Sequence, residues 1–326
     1  MVITPDDIRN AQARLRGVTV RTGLIKFPLC NSDPRQLFLK PENQQPIGAF
    51  KLRGAYNKIA SLAPEDRKRG VITYSSGNHA QGVAYAARAL GTKAVIVMPG
   101  NAPTIKREAT KALGAEIVFV GSGSAERQRK AEELAARHGY VIVPPYNDEL
   151  VIAGQGTMGL EILEDLPEVE MVLAPVGGGG MISGIAAAIK MSNPSIEVIG
   201  VEPKLAGDAQ ASFRAGTIVE FPASQVTRTI ADGLRTQSIG AINFEHIRTF
   251  VDDIITVTEE EIWRALRYLC ANPATIAEPS GAVAVAGFIF HAGELPPGKI
   301  AVAILSGGNI DPKMREEVCS VAPEGC

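Results

Sequence analysis

Apolar residues along this chain come in short, nearly unbroken runs separated by longer stretches with helical spacing. The runs are GVITYSS (70–76), AVIVMPG (94–100), AEIVFVG (115–121), YVIVPP (140–145), MVLAPVG (171–177), IEVIGVEP (196–203) and KIAVAILSGG (299–308). They are rich in Val and Ile and mostly continuous instead of alternating, the pattern of parallel strands covered on both faces. Between them, Ala-rich segments at 78–90, 124–138, 181–191 and 259–271 read as helices. Strand and helix alternating in this way predict an open α/β sheet. A further helix is expected at the start, where Thr4, Pro5 and Asp7 read as N-cap, first helical residue and capping-box acid. No internal repeat and no Pro/Gly/Ser tract divides the chain, so any two domains must be interleaved.

Composition narrows the class. With 326 residues, 45% hydrophobic and 21% charged, the chain can bury a sizeable core and has room for two domains. A net charge of -2 gives no field to recruit nucleic acid or an anionic membrane. The first residues lack the basic start and apolar core of a signal peptide, and no apolar run approaches ~18 residues. A cytoplasmic protein with neither nucleic acid nor membrane as partner is expected. Cys30, Cys270, Cys319 and Cys326 show no CxxC or Cys/His metal spacing. Free thiols are expected, a reduced terminus being preferred to a Cys319–Cys326 pair.

Four motifs carry candidate chemistry. In GAFKLRGA, Lys51 stands between Phe50 and Leu52 after a Gly-Ala step. Alone it reads as a solvated helix-start charge, and a pocketed nucleophile is the alternative. In PVGGGG, a strand end is followed by Gly177, Gly178, Gly179 and Gly180 and then an Ala-rich helix. Converging backbone N–H groups and the helix dipole make that turn a phosphate cradle. It is neither GxGxxG nor a Walker loop, so no dinucleotide or P-loop site is supported. In SSGNHAQG, Ser75, Ser76, Gly77 and Asn78 offer hydroxyls, N–H groups and an amide to a carboxylate, with His79 read alone as structural. In LSGGN, Ser306 offers a neutral hydroxyl at a strand end. A lysine, a phosphate cradle, a carboxylate cradle and a neutral ring partner are together what pyridoxal phosphate (PLP) chemistry needs.

With those motifs, and with IAGQGT (152–157), TIADGL (229–234) and EPSG (278–281), the chain resembles the fold-type II PLP enzymes over roughly residues 5–315. Within them it is similar to the threonine/serine dehydratase and serine racemase group, hydroxyaspartate ammonia-lyases included. The resemblance implies a tryptophan synthase β-like fold of two open, twisted, mostly parallel sheets flanked by helices. It implies a large PLP-binding domain (1–69 and 148–326), a small substrate-loop domain (70–147) and a homodimer. It implies that Lys51 bonds PLP covalently, Phe50 packs on the ring, Asn78 contacts the ring hydroxyl, Gly177 to Gly180 hold the phosphate and Ser306 meets the ring nitrogen. Ser75, Ser76, Gly77 and His79 would bind the carboxylate of a small amino-acid substrate, with Thr236 facing it.

The implied activity is β-elimination from a 3-hydroxy amino acid, giving a 2-oxo acid and ammonia. Its rivals are an amino-acid racemase using Lys51 and Ser76 as opposed bases, a non-catalytic PLP-binding protein, and β-replacement. Glu202, Ala206 and Asp208 in VEPKLAGD match the racemase branch's pattern for Mg²⁺ or Ca²⁺, although spacing alone reads as a solvated loop. Arg127 aligns where a second substrate carboxylate would sit, yet its surroundings read as the polar face of an amphipathic helix. Ile47 and the pair Tyr146-Asn147 depart from the group's usual pattern. The chain stops soon after SGGN, so no regulatory domain is expected.

Overall fold

The computed structural model of the protein describes residues 2–29, 34–75, 77–100, 102, 104–121 and 123–321. Its strands are β1 (Ile25–Phe27), β2 (Gln36–Pro41), β3 (Val71–Tyr74), β4 (Ala94–Pro99), β5 (Glu116–Val120), β6 (Val141–Ile142), β7 (Met171–Pro175), β8 (Glu197–Pro203), β9 (Asp253–Val257) and β10 (Ile300–Leu305). They form a six-stranded sheet in the order β1-β2-β10-β7-β8-β9 and a four-stranded sheet in the order β5-β4-β3-β6. Every pairing is parallel except β1 with β2. Helices flank both sheets, as the alternating pattern predicts.

The seven apolar runs are β3 to β8 and β10. The central ones are continuous because both faces are covered: every residue of β4 and of β7 is buried, whereas the edge strands β5 and β6 are only partly so. Each fully buried Val, Ile or Leu there contributes about 1.5–3 kcal/mol of transfer free energy. Three strands escape the sequence pattern. β2 carries Lys40 into the core, β1 is a three-residue edge piece, and β9 opens on Asp253. The expected N-terminal helix spans Pro5–Leu15, with Thr4 and Asp7 exchanging both capping-box hydrogen bonds.

Helix Glu149–Asp165, which contains the IAGQGT motif, joins the parts that matter for function. It packs against helix Lys51–Ala60 on one side and helix Gly180–Ser192 on the other. A Cβ at Gly154 would stand 2.7 Å from the Arg53 carbonyl oxygen, and one at Gly184 would stand 2.3 Å from that of Ile152. Only glycine permits backbones this close, so the helix that begins at Lys51 and the helix that begins at the glycine turn are held in fixed relation.

Two expectations about the chain's end change. Cys270 and Cys319, 49 residues apart, form a disulfide with their Cα atoms 5.5 Å apart. Free thiols were expected, in preference to a Cys319–Cys326 pair; instead helix Pro312–Cys319 packs on helix Glu259–Leu269 and brings Cys319 to Cys270. Cys30 and Cys326 lie outside the described residues. Among the described residues, no helix is long and apolar enough to cross a membrane.

Candidate active site

Loops at the carboxyl ends of β3, β7 and β10 converge on one cavity of about 410 Å³, the position expected for ligands of open parallel sheets. Phe50, Lys51, Ser75, Gly77, Asn78, His79, Gly177 to Gly180, Thr236 and Ser306 all line it. Ser76 lies outside the described residues.

Lys51 is the first residue of its helix, and Phe50 before it is tied to the end of β10: its N–H donates to the Ser306 carbonyl at 3.1 Å. Gly48 makes the approach possible at φ +71, where a Cβ would fall 2.5 Å from Asn309 Oδ1. The Lys51 ammonium donates to the Pro145 carbonyl at 2.7 Å and lies 5.1 Å from the Phe50 ring centre. Burial lowers its pKa to about 8. The ordinary solvated lysine of a helix start is therefore excluded: this amine is enclosed and partly neutral near physiological pH.

Opposite runs the glycine turn. Gly179, at φ +92, caps helix Gly180–Ser192, whose first N–H groups have no partner within the helix. The turn is backed by Tyr146, whose ring would stand 2.3 Å from a Cβ on Gly178. No side chain fits, and the exposed face of this turn is bare backbone.

His79 is buried, and its Nε2 meets the Val143 carbonyl oxygen at 2.9 Å. A carbonyl can only accept, so Nε2 carries the proton and Nδ1 is bare. Burial, with the Lys51 charge adding to it, lowers the pKa of His79 to about 3. The imidazole is neutral. Ser306, almost fully buried, turns its hydroxyl toward the Ser280 carbonyl at a long 3.4 Å, and the Thr236 hydroxyl is buried with no partner among the described residues. Such loosely held polar atoms are expected where a ligand completes the hydrogen bonding.

Residues 18–307 match the family model described as "Pyridoxal-phosphate dependent enzyme". The chain belongs to this family. It is 44% identical to the L-threonine ammonia-lyase of Thermotoga maritima, over 97% of this chain and 78% of that protein. It is 39% identical to the L-threo-3-hydroxyaspartate ammonia-lyase of Saccharomyces cerevisiae, over 100% of this chain and 99% of that one. Among solved structures, maize serine racemase superposes with a TM-score of 0.92 at 37% identity, covering 97% of each chain.

The residues fit the family's cofactor: an enclosed primary amine and a side-chain-free anion cradle share one cavity. Other sequence-level candidates fare differently. Arg127 is no ordinary solvated arginine, since it is half-buried at the cavity wall, where burial lowers its pKa. The helix that begins at Ser124 turns this part of its face to the cavity. Ile47 packs with Ala49 and Leu52, and Asn147 caps Ile242 N–H, so neither lines the cavity; Tyr146 does.

Glu202, Ala206 and Asp208 are fully buried, which removes the solvated-loop reading. Glu202 accepts from the N–H groups of Ala209 and Gln210, while both Asp208 carboxylate oxygens are buried without a partner among the described residues. Burial, reinforced by Asp208, pushes Glu202 well above its ordinary range, and burial pushes Asp208 up to about 7. Among the described residues no cluster of three or more His, Cys, Asp or Glu side chains gathers as a metal site.

Sequence reasoning assigned no role to several lining residues. Lys106 and Asp232 form an ion pair beside the cavity, Tyr146 backs the glycine turn, and Glu278 is a buried acid. Glu278 was visible inside EPSG; only the fold reveals that it faces Asn78.

Proposed function

We propose that this chain is a PLP-dependent ammonia-lyase that eliminates the 3-hydroxyl of an amino acid such as L-threonine, L-serine, 3-hydroxyaspartate or phenylserine. The observation that carries the proposal is the enclosed amine of Lys51 sharing a cavity with a glycine turn of bare backbone. The likeness to two ammonia-lyases supports it.

When bound, the cofactor supplies an aldehyde for the substrate amine and an electron-withdrawing ring that makes the α-proton removable. Lys51 Nζ holds the cofactor and, once released, takes that proton. With a pKa of about 8, roughly one Lys51 in ten is neutral at pH 7, enough for a base. Gly177 to Gly180 and the start of helix Gly180–Ser192 bind phosphate through N–H groups. Ser306 would meet the ring nitrogen with a neutral hydroxyl instead of an acid, which would leave that nitrogen without a full proton. Ser75, Gly77 and the N-terminus of helix Asn78–Ala89 receive the substrate carboxylate, where the helix dipole favours negative charge. His79 is neutral and bound to Val143, so it positions and does not titrate. Water leaves across Cα–Cβ and returns as ammonia is released, so the net products are a 2-oxo acid and ammonia.

We assign residues 70–147 to a small domain and the rest to a large one, and take the active form as a cytoplasmic homodimer, both from the family. The unpartnered Asp208 carboxylate beside Glu202 suits a hard cation such as Mg²⁺ or Ca²⁺, with the Ala206 carbonyl and waters completing the shell. The likeness to maize serine racemase favours a racemase side activity using Lys51 and Ser76.

Purified holoenzyme assayed for oxo-acid release across both enantiomers of serine, threonine, 3-hydroxyaspartate and phenylserine tests the main reading. Turnover of at least one is expected, and Lys51→Ala should abolish it. A yellow protein whose spectrum ignores every amino acid would return the chain to a PLP-binding role. L-Serine in D₂O reports the side activity as deuterated D-serine.

A further inference from the structure

One carboxyl in the cavity has no part in the reaction described above. Glu278 precedes helix Pro279–Phe290 and is 4% exposed. Its Oε1 accepts from Asn78 Nδ2 at 2.5 Å. Asn78 Oδ1 in turn accepts from Asn309 Nδ2 at 2.7 Å, and Asn309 Nδ2 also donates to the Ile47 carbonyl at 2.9 Å. These bonds leave Asn78 only one orientation: its carbonyl is taken by Asn309, so its N–H₂ side points to Glu278 and has one hydrogen left to give. Gly307 makes room for the pair, because a Cβ there would stand 2.3 Å from Glu278 Oε1 and 3.2 Å from Asn78 Nδ2. The Glu278 N–H is fastened to the Gly307 carbonyl at 3.0 Å.

The charged groups that face this carboxyl are Asp232, which repels it, and Lys106, which attracts it; those two are paired with each other. From its own helix, the Ser280 hydroxyl accepts from Gly233 N–H. Burial is the largest influence and, with Asp232, moves Glu278 up to about 7, against the opposing pull of Asn78 and Lys106.

We propose that Glu278 is a positioning residue that orients the Asn78 amide toward the cofactor ring and gives the ring pocket a charge that comes and goes with its own proton. When Glu278 is ionised, it holds the Asn78 amide strongly and adds a negative charge beside the ring; when protonated, its carbonyl oxygen still accepts from Asn78 but the charge is gone. The inference rests on the PLP-enzyme reading, and its test separates the two.

Apo-protein is titrated with PLP by fluorescence, and the visible spectrum of each holoenzyme is recorded from pH 5.5 to 9. Glu278→Gln keeps an oxygen for Asn78 and should bind PLP within about threefold of wild type, but should lose the spectral transition near pH 7. Glu278→Ala frees Asn78 and should weaken PLP binding about tenfold, the loss expected for a hydrogen bond to a charged group. A wild-type spectral transition that survives in Glu278→Gln overturns the proposal, whether or not Glu278→Ala folds. So does a folded Glu278→Ala that binds PLP as wild type does. A wild-type protein showing no PLP spectrum dependent on Lys51 sinks the parent reading instead.

Discussion

Arg53 lies two residues beyond Lys51 in the same helix, and its guanidinium is wholly buried. It donates to both oxygens of Glu42 at 2.8 Å and to Glu161 at 2.7 and 2.8 Å, with Thr157 Oγ1 at 3.0 Å. Lys40 completes the set at 2.6 Å from Glu161, so two cations face two carboxylates with no solvent. Although burial works to raise it, Glu42 is held below its ordinary range by Arg53. Arg53→Met leaves three buried charges summing to minus one. Breaking a buried pair this way costs about 3–5 kcal/mol. Unfolding entropy near 2.1 cal/mol/K per residue converts this to a Tm loss of roughly 4–7 °C for a chain of 326 residues.

The double variant Arg53→Met/Glu42→Gln tests the cause. It leaves Lys40 and Glu161 as a balanced pair, and the new amide keeps both neighbours paired: its oxygen accepts from Gln45, which bonds one Glu42 oxygen at 3.0 Å, and its N–H₂ donates to the Thr22 hydroxyl, which bonds the other at 2.9 Å. Differential scanning calorimetry of the apo-proteins should show the double variant more stable than Arg53→Met alone. If it melts lower than the single variant, the uncompensated carboxylate is not the cause and the reasoning fails.

Other consequences are as direct. Lys51 must be neutral to capture the cofactor, so the rate of PLP uptake by apo-protein, followed by visible absorbance, should rise about tenfold per pH unit below its pKa of about 8 and level off above it. A flat profile from pH 6 to 9 would contradict the buried amine. Gly178→Ala would drive a methyl to 2.3 Å from the Tyr146 ring, so its PLP affinity should fall by at least about tenfold while its far-UV spectrum stays native. For the cation, Mg²⁺ or Ca²⁺ added to EDTA-treated protein should raise Tm, and Asp208→Asn should remove the effect. Equal response in both proteins would dismiss the site.

Much of this molecule is written in local pattern. Continuous Val/Ile runs specify parallel strands because their energetics depend only on being covered on both faces, and all seven runs became strands. The capping box at Thr4 and Asp7 is a four-residue device and forms as spelled. The motif residues around Lys51, Asn78, Gly177 and Ser306 stand at strand ends, and a parallel sheet brings such ends together. Pattern fails where the partner is distant in sequence. β2 hides because Lys40 reads as a surface residue until Glu161, 121 positions away, neutralises it. Helix Glu149–Asp165 hides because its glycines lower helix propensity, yet they are what its two neighbours require. Cys319 met Cys270, and Arg127 met a cavity wall, through helix packing that no spacing announces. The sequence by itself determined the seven apolar strands, the capped first helix and the chemical groups at the strand ends. Only the tertiary structure decided which charges are buried, and hence that Lys51 is an amine near neutrality and Glu278 a proton-holding acid, because burial depends on neighbours supplied by the whole chain.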